Sequence, residues 1–236
     1  MAEQSRTVKL PVAERVLLAN DEIAAVVRAE LARRGVFAID LIGAPGSGKT
    51  ALLEATLRAL AGGPRRPAVL VGDLTTRRDA DRLARWCDRV VQISTGEGCH
   101  LEAGQVRRAL DDVDMTGVDL LFIENVGNLI CPVGFDLGQN AKVGLFSLTE
   151  GDDKAAKHPY LVTAADLILL NKVDLAPHLT FDRALFEADV RLLNPTVPIL
   201  GVSAATGEGL DAWIQWIEDA ATGQARHSAE CPPAGR

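Results

Sequence analysis

The densest chemistry in this 236-residue sequence lies in Gly43-Ala44-Pro45-Gly46-Ser47-Gly48-Lys49-Thr50, which has the spacing G-x-x-x-x-G-K-[ST]. Gly43, Gly46 and Gly48 let the backbone curl so that successive N–H groups, from Ser47 to Ala51, turn toward one anion. A helix beginning at Lys49 adds the positive end of its dipole. Lys49 can then reach the β- and γ-phosphates of a nucleotide. The Thr50 hydroxyl can ligate Mg²⁺, a cation that prefers oxygen donors.

A second constellation, Asn171-Lys172-Val173-Asp174, directly follows the apolar run Leu167–Leu170 and reads N-K-x-D, the guanine-reading signature of GTPases. A carboxylate at Asp174 accepts from guanine N1–H and from the exocyclic amine, a donor pair that adenine lacks. Leaving such an acceptor unpaired costs about 1–3 kcal/mol, more when it is charged, so ATP is expected to be rejected. Asn171 supports the same recognition, and the Lys172 stem can lie along the base. Ser203-Ala204-Ala205 resembles the S-A-x loop whose backbone N–H meets guanine O6. On the phosphate side, the apolar run Leu120–Ile123 ends in Glu124-Asn125-Val126-Gly127. Glu124 can bind or water-bridge Mg²⁺, and the Gly127 N–H can sense a γ-phosphate, so this segment reads as a switch. Asp73 is a further acidic candidate near the metal, although Asp73 with Thr75 and Thr76 also fits a helix cap.

Two expected features are missing. Ala44 stands where deviant P-loop ATPases carry a signature lysine, and no Gln sits beside Gly127 to orient an attacking water. Slow hydrolysis is therefore expected. A metabolite kinase is disfavoured, because it would have no use for N-K-x-D.

The third constellation is Cys99-His100 with Cys131, which lies on the same connection as the switch. Thiolate and imidazole suit borderline ions such as Zn²⁺ and Ni²⁺. Three ligands leave a four-coordinate shell unfinished, to be completed by a second protomer or by exchangeable ligands. Each cysteine also fits a small buried apolar residue. Cys87 reads as core within a helix beside Trp86, Cys231 as a bystander, and His158, His178 and His227 as surface or loop residues.

These groups need a frame. Apolar positions recur at helical spacing from Glu14 to Arg34, with Gly35 as a C-cap. Strand-like runs follow at 36–42, 68–71, 90–93, 119–123, 143–149, 166–170 and 197–202, the first interrupted by Asp40. Helical patterns, including 49–60 and 101–110, separate nearly all of them. The expected fold is α/β, a P-loop NTPase with a doubly wound, mostly parallel sheet and helices on both faces. One GTP-binding domain spans 1–222, followed by a tail at 223–236. A formal charge of −7 with 47% hydrophobic residues excludes bulk disorder and argues against nucleic acid or an anionic membrane as partner. No run approaches the roughly 20 apolar residues of a span or has a secretory-signal pattern, so a cytoplasmic protein is expected.

Taken in order, GAPGSGKT, TGEGCHLEA, ENVGNLICPVGFDLG, SLTEGDDKAAKHP and NKVD resemble the HypB family, the nickel-incorporation GTPases of [NiFe]-hydrogenase maturation. The resemblance runs from about Asn20 to Trp216. The related urease accessory GTPases, with a Cys-Pro-His arrangement and another switch, fit less well. The resemblance implies a GTP-hydrolysing metallochaperone with Cys99, His100 and Cys131 binding Ni²⁺ or Zn²⁺ at or near a homodimer interface favoured by GTP. It also implies a HypA-type partner, a hydrogenase large-subunit precursor as recipient, and reciprocal coupling of metal and nucleotide. The family's Cys-rich or His-rich N-terminal segments are absent from Met1–Asn20, so nickel storage is not expected. A GTP-dependent assembly switch with structural zinc is the alternative.

Overall fold

The computed structural model of the protein describes residues 12–73, 78–96 and 98–223. Thr75, Thr76, Cys231, His227 and the 224–236 tail therefore lie outside the described residues. The chain runs α1 (Val12–Arg34), β1 (Phe37–Gly43), α2 (Lys49–Leu60), β2 (Pro67–Asp73), α3 (Arg78–Leu83), β3 (Val90–Ser94), α4 (Ala103–Asp112), β4 (Leu120–Glu124) and β5 (Ala141–Ser147). It continues through α5 (Lys154–Lys157), α6 (Pro159–Ala164), β6 (Leu167–Asn171), α7 (Arg183–Leu193), β7 (Ile199–Val202) and α8 (Leu210–Ala221). Short 3₁₀ segments cover Cys131–Gly134, Leu148–Glu150 and Val173–His178.

The seven strands form one sheet in the order β3-β2-β4-β1-β5-β6-β7, and every pairing is parallel. Expected and observed strands agree within a few residues. The fifth starts earlier and ends at Ser147, because the Ser147 hydroxyl and Glu150 carboxylate form a capping box that turns the chain. The expected helix at 101–110 begins instead at Ala103, with Glu102 and Gln105 closing its capping box. α1 ends as expected at Gly35, whose N–H bonds to Ala32 O while Val36 N bonds to Leu31 O. Cys87 lies beyond the end of α3, not within a helix, but is buried in the core with Sγ donating to Pro67 O.

Strand alternation divides the core. One face sends Ile39, Leu41, Val69, Val71, Leu120 and Phe122 against Leu52, Leu53 and Leu57 of α2 and Trp213 and Ile217 of α8. Buried side chains of this kind contribute roughly 1.5–3 kcal/mol each. The indole N–H of Trp213 is satisfied by Thr56 Oγ1 at 2.9 Å, and that hydroxyl donates to Leu52 O at 2.7 Å. The other face carries two clusters: α1 and α4 pack on Ala38, Leu70, Leu121 and Ile123, and α6 and α7 pack on Ile42, Phe146, Ile168 and Leu170. Asp40, fully buried, sits between Ala38 of one cluster and Ile42 of the other. Among the described residues no helix is long and apolar enough to cross a membrane.

Candidate functional site

Ligands of open parallel sheets bind beyond the strand carboxyl ends, where the strand order reverses. β1 leads there into Gly43–Thr50, with β4 on one side and β5 on the other. A cavity of about 420 Å³ opens at this point, lined by Pro45, Gly46 and Gly48, by the start of α2 at Lys49 to Ala51, by Asp73, by Asp79 and Arg82 of α3, and by Glu124 to Gly127. Gly48 adopts φ +97°, and a Cβ there would strike the Asn171 side-chain amide. Only glycine suits both demands.

Lys49 lies buried with Nζ donating to Gly43 O at 3.0 Å and Ala44 O at 3.2 Å. Burial lowers its pKa, opposed by the Glu124 carboxylate. Ser47 donates its hydroxyl to Ala44 O at 2.9 Å, so that group holds the loop's own curl. Thr50 Oγ1 donates to Glu124 Oε1 at 2.7 Å, whereas Glu124 Oε2 is buried with no hydrogen-bond partner. Burial pushes Glu124 up to about 7, with the Thr50 hydrogen bond and Lys49 opposing the rise. A buried carboxylate with an open oxygen, a neighbouring hydroxyl, and Asp73 on the same cavity make an oxygen donor set that suits a hard divalent cation such as Mg²⁺.

The base side is held together by Asn171. Its Nδ2 donates to Ser47 O at 2.9 Å, and its Oδ1 accepts from Ala204 N at 3.3 Å, linking the phosphate loop, β6 and the Ser203–Ala204 turn. Asn171 is therefore occupied as a brace, and Asp174 stands half-buried on the following 3₁₀ turn. Lys172 has φ +63°, the one non-glycine residue with positive φ among those described. Its Nζ reaches Gly46 O at 2.7 Å and Thr149 Oγ1 at 3.1 Å, which lays the stem across the site. Ser203 Oγ accepts from Thr206 N at 3.1 Å and shapes the turn from a buried position.

The cysteine-bearing loops adjoin the switch. Cys99 is exposed, and the neighbouring Cys131 thiol is the main reason its pKa is raised. Cys99 Sγ lies 3.6 Å from His100 Nδ1. The His100 ring rests on Phe135 with centroids 3.9 Å apart, and burial lowers its pKa against the pull of Glu102. The three groups thus adjoin in a row, Cys131 to Cys99 to His100. They do not close on one point: among the described residues no cluster of three or more His, Cys, Asp or Glu forms a metal shell. The loops are also tied together, since Asn128 Nδ2 donates to Cys99 O at 3.4 Å. Asn20 of α1 accepts from Ala103 N and donates to Asp136 O, both at 2.8 Å.

The family description "CobW/HypB/UreG, nucleotide-binding domain" matches residues 37–201. The hydrogenase maturation factor HypB of Azotobacter vinelandii is 48% identical over 216 residues, covering 91% of this chain and 70% of that one. The chain belongs to the HypB family of hydrogenase maturation factors. Two solved HypB structures carry the same fold. That of Archaeoglobus fulgidus gives a TM-score of 0.81 at 40% identity, over 87% of this chain and all of that one. The structure titled HypB from Helicobacter pylori in complex with nickel gives 0.81 at 32% identity, over 92% of this chain and all of that one.

In this HypB-family chain, Lys49, Thr50, Asp73, Glu124 and Gly127 meet around one cavity. Sequence reading missed Asp79 and Arg82 on the cavity wall, the Phe135 seat beneath His100, and the two asparagines Asn20 and Asn125 that tie the loops. The available signals were polar residues at core positions: Asp40 inside an apolar strand and Asn20 on the inner face of α1. His158 is partly buried, with Nδ1 lacking a partner, and is not a plain surface residue.

Proposed function

We propose that this HypB-family chain binds and hydrolyses GTP and carries nickel to a hydrogenase large-subunit precursor, in exchange with a HypA-type partner. The observation that carries this reading is the thiol pair Cys99–Cys131, set on two loops that flank a switch ending at the phosphate cavity. The chain offers soft ligands in an exposed Cys99 and a half-buried Cys131, beside which a half-buried His100 adds a nitrogen. An unfinished shell of this kind suits cargo that must leave, and a second copy of the chain in a homodimer can complete it.

The phosphates would lie against the backbone N–H groups of 46–51, with Lys49 turned from Gly43 O and Ala44 O toward them. Thr50, Glu124 and Asp73 would hold Mg²⁺, which supplies charge neutralisation between the phosphates. Asp174 would select guanine, with the Lys172 stem over its face. No Gln stands beside Gly127 in the sequence to orient a water, so turnover would be slow. Hydrolysis then resets the switch and releases metal and partner copy.

The test is a Ni²⁺ titration of the GDP-bound and GTP-analogue-bound chain, followed by thiolate-to-metal charge-transfer absorption, with oligomeric state measured alongside. Wild-type absorption in Cys99→Ala and Cys131→Ala would overturn the ligand assignment. A zinc site indifferent to nucleotide would make the protein an assembly switch instead of a carrier.

A further inference from the structure

Asn125 spans the gap between the phosphate cavity and the cysteine loop. Strand alternation sends Glu124 and Asn125 to opposite faces of the sheet: the carboxylate meets Thr50 on α2, and the amide meets β1 and the loop before α4. Asn125 Nδ2 donates to Asp40 Oδ1 at 3.0 Å. Its Oδ1 accepts two main-chain N–H groups, Val126 N at 3.0 Å and Leu101 N at 3.2 Å. Its own N–H is fixed to Leu41 O at 3.1 Å, and the residue is 1% exposed. Val126 belongs to the switch, and Leu101 follows His100 and Cys99 directly. One buried acceptor is therefore shared between the peptide that faces the phosphates and the loop that carries a thiol. Past Val126 the chain lies against the phosphate loop, where a Cβ on Gly127 would sit 3.0 Å from Pro45 Cγ.

We infer that Asn125 is the positioning residue through which occupancy of the phosphate cavity reaches Cys99. When the Val126–Gly127 peptide turns its N–H groups to a γ-phosphate, Val126 N leaves Asn125 Oδ1 and the bond to Leu101 N strengthens. When the phosphate departs, the acceptor is shared again and the Cys99 loop loosens. Asp40 holds the amide in the orientation that keeps Oδ1 toward both donors. The inference rests on the nucleotide reading proposed above and not on the identity of any metal.

The test needs no metal. The rate of Cys99 alkylation by iodoacetamide is measured by mass spectrometry in the full chain, with GDP and with a non-hydrolysable GTP analogue. The expected wild-type ratio is about two- to tenfold, the range one hydrogen bond supplies. Asn125→Ala brings the ratio to one among preparations that bind both nucleotides. The double exchange Asp40→Asn with Asn125→Asp restores it, because it swaps donor and acceptor across the pair while returning an acceptor to Leu101 and Val126. A wild-type ratio in Asn125→Ala, or no wild-type difference when both nucleotides bind, overturns the inference alone. Failure to bind either nucleotide overturns the proposed function and the inference with it. Should Asn125→Ala not fold, amide exchange in the wild type decides: protection of Leu101 N–H that rises with the GTP analogue supports the inference, and unchanged protection refutes it.

Discussion

Replacing Asp40 by Asn isolates a charge that the fold holds out of water. The carboxyl has no exposed surface, and burial pushes its pKa from 3.8 to about 6, with Lys142 and the Asn125 hydrogen bond opposing and Asp136 adding to the rise. Because the folded value lies above the unfolded one, the stability gained from the neutral form is whole below about pH 4 and is lost as pH rises through 6. The shift corresponds to a loss of about 1.6 kcal/mol by pH 5 and about 3 kcal/mol by pH 8. Asparagine does not ionise. Its own costs, such as an amide N–H without an acceptor, are the same at every pH and cancel when two pH values are compared. The stability difference between Asp40→Asn and wild type should therefore move in favour of the variant by about 1.4 kcal/mol from pH 5 to pH 8. Urea unfolding of the nucleotide-free protein, followed by the fluorescence of Trp213 and Trp216 on α8, measures it. A difference that does not change with pH would refute the argument that Asp40 is a buried carboxylate ionising only at a cost.

Other outcomes follow from the same geometry. Asp174→Ala should abolish the preference for GDP over ADP, since the acceptor for the guanine donor pair is gone, with a loss of about a hundredfold in discrimination. Competition binding measures it, and retained preference would show that another group reads the base. Gly127→Ala places a Cβ 3.0 Å from Pro45 Cγ and 3.2 Å from Pro45 N. It should weaken GTP-analogue binding relative to GDP by about 1 kcal/mol, because the switch can no longer close on the phosphate loop. Equal effects on both nucleotides in calorimetry would count against a γ-phosphate role for this peptide.

What the sequence made legible were features coded locally. GAPGSGKT predicts its own strand, turn and helix, and α2 spans Lys49–Leu60 as its spacing suggests. NKVD sits at the end of β6, and the parallel sheet follows from alternating strand and helix patterns. Asn171 shows where such reading stops. Its motif predicts base recognition, yet its amide is taken up by Ser47 and Ala204, partners far away in the sequence whose approach depends on strand order. The Asp40–Asn125–Leu101 chain is hidden for the same reason, since it crosses three elements with no periodicity between them. The family resemblance marks Cys99, His100 and Cys131 as candidate ligands, but nothing in their spacing shows that His100 is seated on Phe135.

The opposed directions of Glu124 and Asn125 set a limit on how the gene can change. Deleting one residue within β4 would bring the Asn125 amide to Thr50, and inserting one would bring the Glu124 carboxylate to Leu101 and Asp40. The carboxylate would then lie beside a second buried acid while the oxygen donor set on the phosphate side lost its anchor. β4 is thus intolerant of length variation in a way that its plain apolar composition, Leu-Leu-Phe-Ile, gives no hint of. The connection from Gly62 to Arg66 lies at the opposite, amino end of the strands, where a change of length would disturb the Arg65 pairs with Asp119 and Glu218 without altering what faces the nucleotide.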